Sequence, residues 1–117
     1  MSLPRLLLHL EGLALLAAAV FVYFAQGRPL WVFLVFLLAP DLSAIGYAFG
    51  PRVGSMAYNL AHITVWPILV GLLGWRFGWS WAMAAALIWL AHIGMDRALG
   101  YGLKYPDAFK HSHFDNL

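Results

Sequence analysis

Four apolar runs, at about 3–26, 29–50, 54–75 and 78–100, fill almost the whole of this 117-residue chain. Each approaches the roughly 20 residues that an α-helix needs to cross a hydrocarbon layer of about 30 Å. The breaks are short and rich in turn formers: QGRPL (26–30), GPRVG (50–54) and GWRFGW (74–79). Connections this tight force consecutive runs to lie antiparallel. The sequence therefore predicts an all-α membrane protein, a single antiparallel four-helix transmembrane bundle with a short cytoplasmic C-terminal tail over 101–117.

Composition agrees. Only 10% of the residues are charged and 63% are hydrophobic, against about 25% charged in soluble domains, so little polar sequence is left to coat a water-facing surface. A net charge of +2 gives no electrostatic footprint for nucleic acid, and the absence of cysteine excludes disulfides, thiolate catalysis and cysteine-ligated metals. Residues 1–25 resemble a signal peptide only loosely. Glu11 interrupts the apolar stretch and no small-x-small cleavage site follows, so the segment is expected to stay as the first span.

Charge orients the bundle. Arg5, Arg52, Arg97, Lys104 and Lys110 fall on one side, and only Arg28 and Arg76 on the other. The positive-inside rule then puts both termini in the cytoplasm. Trp31, Trp75, Trp79 and Trp81 gather at the opposite face as an aromatic belt.

The informative residues are the polar ones inside the runs. Counted inward from the cytoplasmic end of each helix, Glu11, Asp41, His62 and His92 all come out roughly 12–14 Å deep. An ionisable group near the membrane centre costs about 2.5–3.5 kcal/mol and is normally turned to the protein interior or a wet cavity. Several in one slab must satisfy one another, bind an ion or stay hydrated. His92 and Asp96 are four apart and share a helix face, as do Asn59 and His62, three apart. Pro40 removes a backbone bond beside Asp41 and lets that helix kink, freeing a carbonyl as a further ligand. Pro67 reads as a simple kink.

Two histidines and several carboxylates from different helices make a metal set. Glu11, Asp41, His62, His92 and Asp96 are the expected ligands of a divalent Zn, Fe or Mn ion. Tyr47, Asn59 and Tyr101 are expected to hold those ligands from behind. The ferritin-like di-metal bundles use the same ingredients, but with a Glu-x-x-His spacing that this chain lacks. A metal-free proton path or ligand pocket and a structural network remain open alternatives. The tail's aromatics and His111-x-His113 suggest a cap beneath the bundle.

Four motifs in this order, LEGLALL (10–16), APDLSAIGY (39–47), YNLAH (58–62) and AHIGMDRALGYGLKY (91–105), make the chain similar to a bacterial integral-membrane family, Domain of Unknown Function 4260. The resemblance covers nearly the whole chain. It implies a small multi-span protein of the bacterial inner membrane and carries no assigned activity. It also favours His113 over His111, because the family tail has a Phe followed by Thr-His-Leu where this chain has Phe109 and Ser112-His113-Phe114.

The sequence thus favours a buried, cytoplasm-facing metal site. If it is an enzyme, metal-activated water would attack a lipid-like or other membrane-soluble substrate, with Asp96 and His113 as proton-transfer groups. A proton-coupled transporter or ligand carrier is the second reading. It would need a homodimer, for which Gly71 and Gly74 or the stretch 82–86 offer small-residue contacts. An accessory subunit with a structural polar network is the third. No phosphate loop, nucleotide fingerprint or nucleophile motif is present.

Overall fold

The computed structural model describes residues 2–100. These are almost entirely helical: α1 (Leu3–Ala25), α2 (Leu30–Phe36), a 3-10 segment (Ala39–Phe49), α3 (Pro51–His62), α4 (Val65–Phe77) and α5 (Ser80–Leu99). There is no strand among the described residues. Four stretches, Leu3–Ala25, Leu30–Phe49, Pro51–Phe77 and Ser80–Leu99, are long and apolar enough to cross a membrane.

Two of these four spans are broken, and the sequence explains both breaks. In the second, Pro40 has no N–H to continue the α2 ladder. The chain turns at Leu37–Leu38 and tightens, with Asp41 N–H donating to the Leu38 carbonyl at 3.0 Å and Ser43 Oγ to the Pro40 carbonyl at 2.7 Å. In the third span, Pro67 lacks the donor that the Ile63 carbonyl would accept, and its ring crowds that carbonyl. Ile63 is extended, with φ −95° and ψ 147°, and the helix resumes only at Val65. Pro67 therefore terminates α3 rather than merely bending it.

α5 is the central helix, with nine buried residues that include His92 and Asp96. α1 runs antiparallel to it. At one end His9 Nδ1–H donates to the Ala98 carbonyl at 2.9 Å, and at the other Arg28 donates to the Ser80 carbonyl and hydroxyl, both at 3.0 Å. Between these ties the backbones nearly touch. A Cβ on Gly94 would lie 2.5 Å from Leu16 N, and one on Gly12 2.3 Å from Arg97 Cβ. Small residues that let backbones meet are the usual means of helix association where lipid removes the hydrophobic driving force.

α4 packs on α5 in the same way, with Gly74 against Ala82 and Met83 and Gly71 against Ala86. These are the positions that the sequence offered for dimer contacts. Gly71, Gly74, Ala82, Met83 and Ala86 among them make these close contacts within the chain. An apolar cluster of Ala19, Tyr23, Phe33, Leu87, Ile88 and Ala91 joins α1, α2 and α5. Large apolar side chains cover the outside, and Trp31, Trp75, Trp79 and Trp81 are all exposed near the loops that follow α1 and α4.

Candidate metal centre

The breaks in the second and third spans lie where the polar residues meet. Asp41 stands at the start of the 3-10 segment and His62 is the last residue of α3. His92 and Asp96 project from one face of α5. His62 Nε2 and His92 Nε2 are 3.0 Å apart. Both lie 3.1 Å from Asp41 Oδ1 and 3.3 Å from Asp96 Oδ2. Each of the four residues offers a ligand atom within 4.8 Å of all the others.

The chemistry of the facing atoms is one-sided. His62 Nδ1 lies 2.7 Å from the Tyr58 carbonyl oxygen, which can only accept, so Nδ1 carries the proton. Neutral His62 then turns a bare Nε2 lone pair to the centre. His92 Nε2 and two carboxylates point at the same spot, so the centre gathers two carboxylate oxygens, the bare His62 nitrogen and a His92 nitrogen whose tautomer no Nδ1 bond fixes. Such a group is stable only with positive charge at its centre, supplied by protons or by a cation. The spacing suits a cation: bonds of about 2.0–2.1 Å in a tetrahedron put ligand atoms about 3.3 Å apart. Two carboxylates and two neutral imidazoles around a divalent ion also sum to zero charge, which a low-dielectric interior favours.

Neighbouring groups hold this arrangement. The Tyr58 ring stacks on His62, with centroids 3.7 Å apart and planes 10° from parallel, and its hydroxyl donates to Asp96 Oδ2 at 3.4 Å. The carbonyls left open where α3 ends are bound from α5: Arg97 donates to the His62 carbonyl at 3.1 Å, and Trp89 Nε1–H to the Ala61 carbonyl. His62 is thereby fixed at ring, Nδ1 and backbone. His92 Nδ1 is buried and makes no hydrogen bond of ordinary geometry among the described residues.

A family model described as Domain of unknown function (DUF4260) matches residues 5–117. The chain belongs to this family. No curated protein and no solved structure matches it significantly. The family carries no chemistry with it, so the function of this DUF4260 protein has to be read from the cluster.

Of the five ligands expected from sequence, the structure brings together Asp41, His62, His92 and Asp96 and leaves out Glu11. Glu11 is exposed on α1. It follows from geometry: Gly12 is the residue seated against α5, and its neighbour points about 100° away around the helix. A count of depth along a helix says nothing about azimuth. Asn59 is half-buried, whereas the buried face of α3 carries Gly54, Tyr58 and His62, each four residues from the next. Tyr47 lies across that face, where a Cβ on Gly54 would come within 2.2 Å of its ring. Tyr101, His111, His113 and the cap proposed for the tail lie outside the described residues.

Tyr58, Trp89 and Arg97 are not among the site residues expected from sequence. Tyr58 carried a usable signal, because it precedes His62 by four residues. Removing its hydroxyl while keeping the stacked ring gives a sharp test. Tyr58→Phe should weaken metal binding about 10- to 100-fold. Its cost in folding should be only about 1 kcal/mol. Competition with a coloured chelator and denaturant unfolding separate the two effects.

Proposed function

We propose that this is a small inner-membrane protein, both termini cytoplasmic, that holds one divalent cation per chain between His62, His92, Asp96 and Asp41. The observation that supports it is the convergence of four possible ligand atoms, five of whose six separations are 3.0–3.3 Å. An N₂O₂ donor set suits Zn, Fe or Mn.

The four ligands are not equivalent. His62, His92 and Asp96 are buried, whereas the Asp41 side chain keeps 47% of its surface. Asp41 also sits on the irregular second span rather than on a continuous helix. It is the ligand that can be exchanged, leaving two imidazoles and one carboxylate fixed with open positions beside them. Bound there, a metal supplies Lewis acidity and lowers the pKa of water, the chemistry of metal-assisted hydrolysis. Asp41 is the carboxylate placed to take a proton from an arriving molecule, because Asp96 is enclosed by Tyr58 and both imidazoles. A hydrolase acting on a membrane-soluble substrate is the activity this arrangement supports best.

A proton relay has less support. Beyond the cluster, towards Arg28 and Arg76, the spans carry Tyr23 as their one titratable side chain. A relay needs a chain of such groups on both sides.

Elemental analysis of detergent-purified protein tests the metal reading. One equivalent of Zn, Fe or Mn per chain is expected after growth in metal-replete medium, with chelation reversible by adding the ion back. Protein that emerges empty and binds none of the three in titration overturns it.

A further inference from the structure

A cavity of about 420 Å³ opens beside the cluster, between α2, the start of the 3-10 segment and α5. Its walls include Val32, Phe36, Pro40, Trp81, Ala85 and Trp89. The volume falls within the roughly 300–1,000 Å³ of small-molecule sites. Along α5, Trp81 to Trp89 spans about 12 Å. One end of the groove lies at exposed Trp81, near the loop end of the bundle. The other end reaches the ligand layer, since Pro40 adjoins Asp41 and Trp89 lies three residues before His92.

The lining determines what fits. The Trp89 N–H is already given to the Ala61 carbonyl, and the wall is otherwise apolar apart from the exposed indole of Trp81. A polar molecule lying along the groove would lose its hydrogen bonds to water and gain few in return. Hydrocarbon would lose nothing. Asp41, the one half-exposed ligand of the cluster, is the residue that follows Pro40 of this wall. A head group that enters there takes Asp41's place. In a site whose charges sum to zero, the replacement that keeps the balance is another singly charged oxygen donor.

We infer that the groove and the cluster form one site for a single-chain fatty carboxylate, its acyl chain between α2 and α5 and its carboxylate at the Asp41 position. This rests on the metal reading above and names its ligand class. A fatty carboxylate is also what hydrolysis of an acyl ester or amide would release.

The test uses the full-length protein in nanodiscs of zwitterionic phosphatidylcholine, loaded with metal. Two photoprobes are compared, a long-chain fatty acid with a diazirine near the chain end and the matching fatty alcohol. The acid should label the segment 81–89 about tenfold more than the alcohol, corresponding to about 1.4 kcal/mol. Ala85→Trp, which fills the groove from an exposed position, should remove that difference with metal content unchanged. Ala85→Phe is the smaller substitute if the tryptophan impairs folding, and the comparison of acid with alcohol in the wild type needs no variant. Equal labelling by acid and alcohol, or labelling spread evenly onto exposed Leu69 and Leu72 of α4, in protein that holds its metal, overturns the inference and leaves the metal reading standing. Metal analysis of the same samples identifies the other failure: protein without metal overturns both.

Discussion

Replacing His92 with alanine is expected to abolish metal binding and to cost about 3–5 kcal/mol of stability, the effect of stripping one partner from a buried charged group. His92 is fully buried, and its Nε2 contacts His62, Asp41 and Asp96 together. Without it the two carboxylates retain one imidazole between them. Two signals should therefore move together. Elemental analysis should fall from one equivalent to near zero, and a chelator that lowers the unfolding midpoint of the wild type should leave the variant unaffected. In the wild type that shift should be about 2.7 kcal/mol when free metal stands at a hundred times its Kd. Asp41→Asn provides the contrast. It should weaken metal binding but barely change the stability of metal-free protein, because Asp41 is half-exposed. If His92→Ala keeps a full equivalent and an unchanged chelator response, the metal is held elsewhere and the reading of the cluster fails.

How much of this site could be read in advance follows from what one-dimensional information contains. The four spans were legible because hydrocarbon thickness fixes their length, and the slab of polar residues because rise per residue is constant. Glu11, Asp41, His62 and His92 were placed at one level on that basis, with Asp96 on the face of His92 one turn on; all of these but Glu11 meet. Azimuth was not legible for Glu11, because it depends on which residue of α1 seats against α5. That is decided by Gly12 and Gly94, whose missing side chains carry no hydrophobic signal. Pro67 was visible, but its effect was underestimated. A kink preserves the ladder on either side, whereas here α3 stops at His62 and exposes carbonyls that Trp89 and Arg97 then bind. Arg97 points about 100° from Asp96 around the helix. It reaches the site through the backbone of His62, a partner that exists only once the third span is broken.

Gly94→Ala is expected to be strongly damaging to the α1–α5 crossing, and it separates fold from site. The new Cβ would lie 2.5 Å from Leu16 N and 2.8 Å from the Gly12 carbonyl oxygen. Both are backbone atoms of α1 and cannot rotate aside, so α1 must withdraw as a body. The withdrawal loosens the His9 and Arg28 bonds that tie its two ends. Overpacking usually costs about 1–3 kcal/mol, and a backbone-to-backbone clash belongs at or above the top of that range. The midpoint in a denaturing-detergent titration should fall accordingly. Metal content should survive in the fraction that stays folded, because Gly94 is two residues from His92 and points to another side of α5. Gly12→Ala should behave differently. Its Cβ would press on the α5 backbone at Ala98 N, 2.5 Å away, and also on Arg97 Cβ, 2.3 Å away, and Arg97 holds the His62 carbonyl. That variant should lose metal affinity as well as stability. If both glycine variants unfold alike and bind metal alike, Arg97 does not couple the α1–α5 crossing to the site.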